Sequence, residues 1–235
     1  MSVFKFKKFS IIQTKSAMKV GTDGVLLGSW VNCQKAKKIL DIGAGTGLIS
    51  LMLAQRNKEC NITAIEIDKD TSEEAKININ NSKWRDRISI INISLNNFAT
   101  SEKFDFIVSN PPYFPANYSK SKRAIARHTN LLSFQDLIKS TVNLLSIKGI
   151  FAVILPKISE ITFCKTANAN KLFLIRICQV KGQKNSDVKR VLLEFSFEKS
   201  SLDSDSLVIE DSRHIYTNKY IDLCQDFYLN IYPTN

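Results

Sequence analysis

An α/β fold, a mostly parallel sheet with helices on both faces, is predicted for this 235-residue chain by three observations. A glycine-rich turn, DIGAGTG (41–47), directly follows the apolar run KKIL. Short β-branched runs alternate with helix-spaced ones through the first two-thirds of the chain. A rigid tetrapeptide, NPPY (110–113), closes a later strand-like run. With 44% hydrophobic and 23% charged residues, the composition suits one sizeable core and excludes disordered and fibrous classes.

The elements follow in order. KKILDIG (37–43), CNITAIEID (60–68) and ISIINIS (88–94) read as strands. Between the first two, Leu48, Leu51, Met52 and Ala54 or Gln55 fall at helical spacing. TSEEAKININNSK (71–83) reads as a helix capped by Thr71 with acids in its first turn. FDFIVSN (104–110) is a strand; SFQDLIKSTVNLLSIKG (133–149) is a helix from a Ser133 cap to Gly149; IFAVILP (150–156) is a strand. KLFLIRICQVK (171–181) and VKRVLLEFSFEK (188–199), joined by the polar GQKNSD, predict a hairpin at a sheet edge. The stretch 217–232 reads as a helix covering that edge, or as a further strand. The expected division is an N-terminal basic and aromatic segment, 1–30, leading into a single domain, 31–235.

No run approaches the length of a membrane span, and MSVFKFKKFS lacks an apolar signal core, so a cytoplasmic protein without membrane attachment is expected. The five cysteines form no CxxC pair and read as free thiols. Two histidines without paired ligand spacing predict no metal site. The net charge of +11 suits a polyanionic partner, or a generally basic surface.

At the carboxyl end of a first parallel strand, glycines let the chain turn sharply and let a ligand approach the backbone. The spacing here is GxGxG, with Leu48 where a dinucleotide fingerprint puts its last glycine, and Asp41 stands where a pyrophosphate would lie. That acid suits a ligand with an ammonium group. Glu66, closing the next strand, is placed to accept hydrogen bonds from ribose hydroxyls. An adenosine with a cationic tail satisfies both acids, and a plain strand-to-helix turn is the alternative.

In NPPY the prolines end the strand and hold Asn110 in extended geometry at the ligand-binding edge of the sheet. The Asn110 side-chain oxygen and the Pro111 carbonyl are then two acceptors for a planar amine, and Tyr113 is a platform for its ring. Lys5, Lys7 and Lys8 in FKFKKF, and Lys120, Lys122, Arg123 and Arg127 after NPPY, are candidate phosphate contacts, with solvated faces as the alternative. His128 reads as a loop residue or phosphate contact.

With both motifs in order, the chain resembles class I S-adenosylmethionine-dependent methyltransferases that modify exocyclic or amide nitrogens. AMKVGTDGVLLGSW (17–30), LDIGAGTGLISLMLAQR (40–56), IEID (65–68) and SNPPYF (109–114) are similar to the bacterial family that methylates N6 of adenosine-37 in a valine tRNA. The resemblance implies a seven-stranded Rossmann-like sheet with an antiparallel edge hairpin. It implies that Gly43, Gly45 and Gly47 approach the cofactor, Asp41 faces its methionine part and Glu66 holds its ribose. Thr22 and Asp23 match the segment leading into that site, and Asn110 borders the cofactor as well. Ser94 stands where the family usually has an Asp binding the adenine amine. Asn110, Pro111, Pro112 and Tyr113 would form the catalytic corner, S-adenosylhomocysteine would be the product, tRNA the partner and a monomer the working form. A protein glutamine N5-methyltransferase and a catalytically silent RNA-binding module are the competing functions.

Overall fold

The computed structural model describes residues 2–16, 18–112 and 132–231. Strands β1 (Val3–Lys5) and β2 (Ser10–Ile12) form a small antiparallel ribbon. Helix α1 (Thr22–Trp30) follows, then β3 (Lys38–Ile42), α2 (Leu48–Arg56), β4 (Asn61–Glu66), α3 (Lys69–Asn80), β5 (Ile88–Asn92) and β6 (Phe104–Ser109). The second half contains α4 (Phe134–Leu144), β7 (Leu145–Pro156), α5 (Glu160–Ala169), β8 (Phe173–Gln183), β9 (Val188–Ser196), β10 (Asp203–Ser212), β11 (Ile215–Tyr216) and α6 (Asn218–Cys224).

The large sheet runs β5-β4-β3-β6-β7-β9-β8-β10-β11. β3 to β7 pair in parallel, and β9 pairs antiparallel with both β7 and β8. The expected α/β class holds, and so does the β8–β9 hairpin. That hairpin is not the sheet edge, however, because β10 adds in parallel to β8 and β11 closes the border, giving nine strands instead of seven. The sequence hid β10 because DSDSLVIEDS is mostly exposed and polar, with Leu207 its buried residue.

The central strands are covered on both faces, as parallel strands must be. Ile39, Phe106, Val108, Ala152 and Ile154 face α1, α2 and the N-terminal ribbon. Leu40, Ile42, Ile107, Phe151, Val153 and Leu155 face α4 and α5. Asp41 shares the parity of Ile39 and so points to the α2 side. Helix α1 lies against α2 so closely that a Cβ on Gly28 would stand 2.7 Å from Met52 Sδ. Its C-terminus is held by half-buried Arg56, whose Nη1 donates to Gly28 O (2.9 Å) and Val31 O (2.7 Å).

Two helix boundaries differ from expectation. The cap of α3 is Asp68, which accepts from Thr71 N at 2.8 Å, and Thr71 is already inside the helix. The capping hydrogen bonds hold the Asp68 pKa below its usual value. Helix α4 begins at its Ser133 cap as expected but ends at Leu144, since Gly149 lies inside β7. A Cβ there would meet Leu145 Cδ1 at 2.6 Å and Phe104 O at 3.0 Å, beside the irregular β6–β7 register. Close packing, and not helix termination, is the reason for that glycine. All five cysteines are free thiols, and no helix among the described residues is long and apolar enough to cross a membrane.

Candidate active site

β3 and β6 are parallel neighbours in which Ile42 pairs with Ser109, so the glycine turn and the Asn-Pro-Pro corner leave adjacent strand tips at the same level. Ser109 Oγ fixes this register by donating to Ile42 O at 2.9 Å. Beyond β3 the chain turns through positive φ at Gly43 (71°), Gly45 (57°) and Gly47 (81°). Among the described residues other than the chain neighbours, no heavy atom lies within 4 Å of where a Cβ on Gly43 or Gly45 would stand, so a ligand can reach that backbone. At Gly47 the same direction meets Ala75 and Ile79 of α3 at 3.6 Å, and the residue serves as the left-handed cap of α2.

Asp41 is fully buried. Its Oδ2 accepts from Ser50 Oγ at 2.6 Å, whereas Oδ1 has no hydrogen-bond partner among the described residues. Desolvation pushes the carboxyl up to about 6; the Ser50 hydrogen bonds oppose this and the Glu66 charge adds to it. Glu66, at the β4 tip, accepts from Gly45 N through Oε2 and from Asp68 N through Oε1, both at 2.9 Å. It therefore braces the turn while keeping lone pairs for a hydroxyl. Ser94, half-buried, starts a short 3-10 turn just past β5, whose last residue, Asn92, pairs with Glu66. The Asn92 side chain donates to Glu66 O (2.9 Å) and Ile67 O (3.0 Å), holding the β4 tip in place.

At the corner itself Pro111 is buried and Pro112 exposed. Asn110 Nδ2 lies 3.9 Å from the Cβ position of Gly24, so the first turn of α1 runs alongside the corner, while Leu48 Cδ2 lies 3.0 Å from that position on the α2 side. A side chain at Gly24 would wedge α1 away from both. Asp23 is engaged by Arg190 of β9, Nε to Oδ2 at 2.8 Å, and Thr22 is exposed. Tyr113, Lys120, Lys122, Arg123, Arg127 and His128 lie outside the described residues.

Two residues of α3 that sequence reasoning missed secure the segment entering the site. Glu74, 3% exposed, accepts from the backbone N–H groups of Thr14 (2.6 Å), Lys15 (3.0 Å) and Ser16 (3.0 Å). Asn78 accepts from Ile12 N (2.8 Å) and donates to Ile12 O (2.9 Å) and Thr46 O (3.0 Å), tying β2 to the glycine turn. Their signal was legible: Glu74 and Asn78 are spaced i,i+4 on the same side of the helix as the apolar Ala75 and Ile79.

In the N-terminal run Phe6 and Phe9 are buried, their rings 4.7 Å apart, in a cluster with Phe4, Tyr228 and Trp84, so Phe6 and Phe9 belong to the core. Lys5, Lys7 and Lys8 are exposed, and Lys7 Nζ donates to Gln225 O at 2.7 Å. Among the described residues no group of three His, Cys, Asp or Glu side chains could hold a metal ion.

A family model for the methyltransferase small domain matches residues 14–162. The tRNA1(Val) (adenine(37)-N6)-methyltransferase of Flavobacterium psychrophilum is 46% identical over 234 residues, covering 97% of this chain and 100% of that protein. The protein of the same name from Phocaeicola vulgatus is 45% identical over 232 residues, covering 97% and 98%. The chain belongs to the tRNA1(Val) (adenine(37)-N6)-methyltransferase family. Its members' shared fold is also that of more distant solved structures. A predicted O-methyltransferase of Agrobacterium tumefaciens aligns over 87% of this chain and 96% of its own, with a TM-score of 0.70 at 20% identity. The glycopeptide N-methyltransferase MtfA, solved with (S)-adenosyl-L-methionine, aligns over 78% and 91%, with a TM-score of 0.58 at 13% identity.

The family implies S-adenosylmethionine, and the residues present fit it. The orphaned Asp41 Oδ1 matches an ammonium group, the open faces of Gly43 and Gly45 admit a ligand against the backbone, and Glu66 retains acceptor capacity for ribose.

Proposed function

We propose that this protein transfers a methyl group from S-adenosylmethionine to N6 of adenosine-37 in the anticodon loop of a valine tRNA. The reading rests on the placement of Asn110 and Pro111 at the strand tip beside the open glycine turn, in a chain 39–46% identical to proteins named for that activity. When bound, the cofactor supplies an electrophilic methyl carbon carried on a sulfonium. Asp41 would hold its ammonium end, Glu66 its ribose, and Ser94, next to Ile93, whose N–H donates to Glu66 O at 3.0 Å, would meet the adenine.

The N6 amine of adenine is a weak nucleophile because its lone pair is delocalised into the ring. Asn110 Oδ1 and the Pro111 carbonyl would accept hydrogen bonds from its two N–H groups, bonds that strengthen as the nitrogen becomes tetrahedral and gains positive charge. No separate base is needed before transfer. The rest is placement, with the reacting atoms about 3–3.5 Å apart and aligned; the sequence assigns the stacking to Tyr113. A base in a loop is also the one cheapest to extrude from its stack. By the resemblance, Thr22 and Asp23 would flank the cofactor on the α1 side and Gly47 on the α2 side. Lys5, Lys7, Lys8, Lys120, Lys122, Arg123 and Arg127 would contact phosphates, and the protein would work in the cytoplasm as a monomer without a metal.

The test is transfer of radiolabelled methyl to total RNA from cells lacking this protein, with ribosomal and release-factor proteins as parallel acceptors. Label in N6-methyladenosine of valine tRNA is expected, lost in Asn110→Ala. Label in protein alone would replace this reading by glutamine methylation, and label in neither by an RNA-binding role.

A further inference from the structure

A cleft of about 760 Å³ lies beside the first turn of α1, and none of Asp41, Gly43, Gly45, Glu66 or Asn110 lines it. It is built where the N-terminal ribbon, the start of α1, the β8–β9 hairpin end, β10, β11, α6 and the segment after α6 meet. Its walls carry four aromatic rings, Phe4, Tyr216, Tyr220 and Tyr228. Tyr216 and Tyr220 stand with centroids 5.2 Å apart, and Phe4 and Tyr228 6.3 Å apart. Tyr220 is buried, whereas Phe4, Tyr216 and Tyr228 are half-exposed and offer surface to an occupant. Polar groups are few: exposed Lys189 and Thr22, Gln183, Ser186 and Asn230, with the Glu210 carboxylate at the opposite strand.

We propose that this cleft is a subsite for an unstacked nucleotide adjacent to the methylated base, its ring against Tyr216 and Phe4 and its phosphate at Lys189. Three observations choose this occupant. The volume and lining, aromatic walls with interspersed polar groups, are those of a site for a small planar ligand. The chain's charge of +11 and the exposed lysine suit a phosphate, while Glu210 and Gln183 can meet the amino and carbonyl edges of a base. The position is also right. Thr22, on the cleft wall, precedes by two residues Gly24, whose Cβ position is 3.9 Å from Asn110 Nδ2. Two residues of helix rise about 3 Å, so the near wall of the cleft, at Thr22, lies within about the length of one nucleotide from the Asn110 corner. Single-stranded RNA is commonly read in this way, by splaying neighbouring bases onto aromatic side chains.

The inference rests on the RNA-methylating function proposed above, and its test separates the two. Binding of a valine anticodon stem-loop RNA and of S-adenosylhomocysteine is measured for the wild-type protein and for Tyr216→Ala, Tyr216→Phe and Lys189→Ala, with methylation of the same RNA by the wild type. Tyr216→Ala should weaken RNA binding roughly tenfold, with Tyr216→Phe, which keeps the ring, restoring it. Lys189→Ala should weaken binding several-fold and lower the salt slope by about the share of one phosphate contact. Cofactor-product affinity should be unchanged in all three. Unaltered RNA affinity in Lys189→Ala, an exposed residue whose loss leaves the core intact, overturns the subsite, as does unaltered affinity in a folded Tyr216→Ala. Equal loss of product affinity overturns it too, since the cleft would then act on the cofactor. Absence of methylation by the wild type overturns the function on which it depends.

Discussion

Burial holds Asp41 protonated up to about pH 6, and a cationic ligand group at its orphaned Oδ1 would favour the ionised form instead. Between about pH 4 and 6 the native ligand-free protein keeps a proton that the unfolded chain has released, so its stability falls as pH rises through that window and then levels. Denaturant titrations should show this slope in the wild type and not in Asp41→Asn. Cofactor affinity should run the other way, tightening about tenfold from pH 5 to 7 in the wild type and staying weak and flat in Asp41→Asn, as calorimetry would read. At the neighbouring strand tip, Asn110→Ala should lower kcat by about 10²–10³ while cofactor affinity holds, because the deleted hydrogen bond matters most when nitrogen becomes tetrahedral. These two residues were legible because each stands at a turn that glycine or proline marks. The unpartnered oxygen of Asp41 was not, since it depends on Ser50 arriving from α2 to bond one oxygen and leave the other.

At the scale of elements, α3 is both a layer of the fold and the anchor of the chain that enters the site. Glu74 gathers three backbone amides that would otherwise lie unpaired near the core. Glu74→Ala should cost about 1–3 kcal/mol in denaturant unfolding, accelerate hydrogen exchange at Thr14, Lys15 and Ser16, and weaken cofactor binding with little change in kcat. The close approach of α1 to α2 leads to a second expectation. Gly28→Val should lower the melting temperature by several degrees, because Met52 must move to admit the new side chain. Helix and strand existence was readable from periodicity, but boundaries moved where tertiary packing decided them. Gly149 looked like a helix end and is a packing glycine between β6 and β7, while Asp68 took the capping role assigned to Thr71. The β10 strand was unreadable because an exposed strand of Ser and Asp lacks an apolar alternation.

Across the whole molecule, the sheet's central order places the glycine turn, Glu66 and the Asn110 corner on one carboxyl edge, and the N-terminal segment is fastened over α3 beside it. The charge of +11 was visible in the composition, but the inward turn of Phe6 and Phe9 was not, since alternation with lysine suits a ribbon with one buried face as well as a stacking surface. Exchanging Lys5, Lys7 and Lys8 for alanine should therefore weaken RNA binding alike for all sequences and make its salt dependence shallower by about 0.7–0.9 for each phosphate left unneutralised. The most direct test of the central claim, that one pocket joins a methyl-donor site at the β3 tip to an amine-gripping corner at the β6 tip, is nucleoside mapping of valine tRNA after incubation with purified protein and S-adenosylmethionine. One added methyl group is expected, on N6 of adenosine-37 and nowhere else in the tRNA. Unmodified adenosine-37 in RNA shown by a competent enzyme to be a substrate would contradict it.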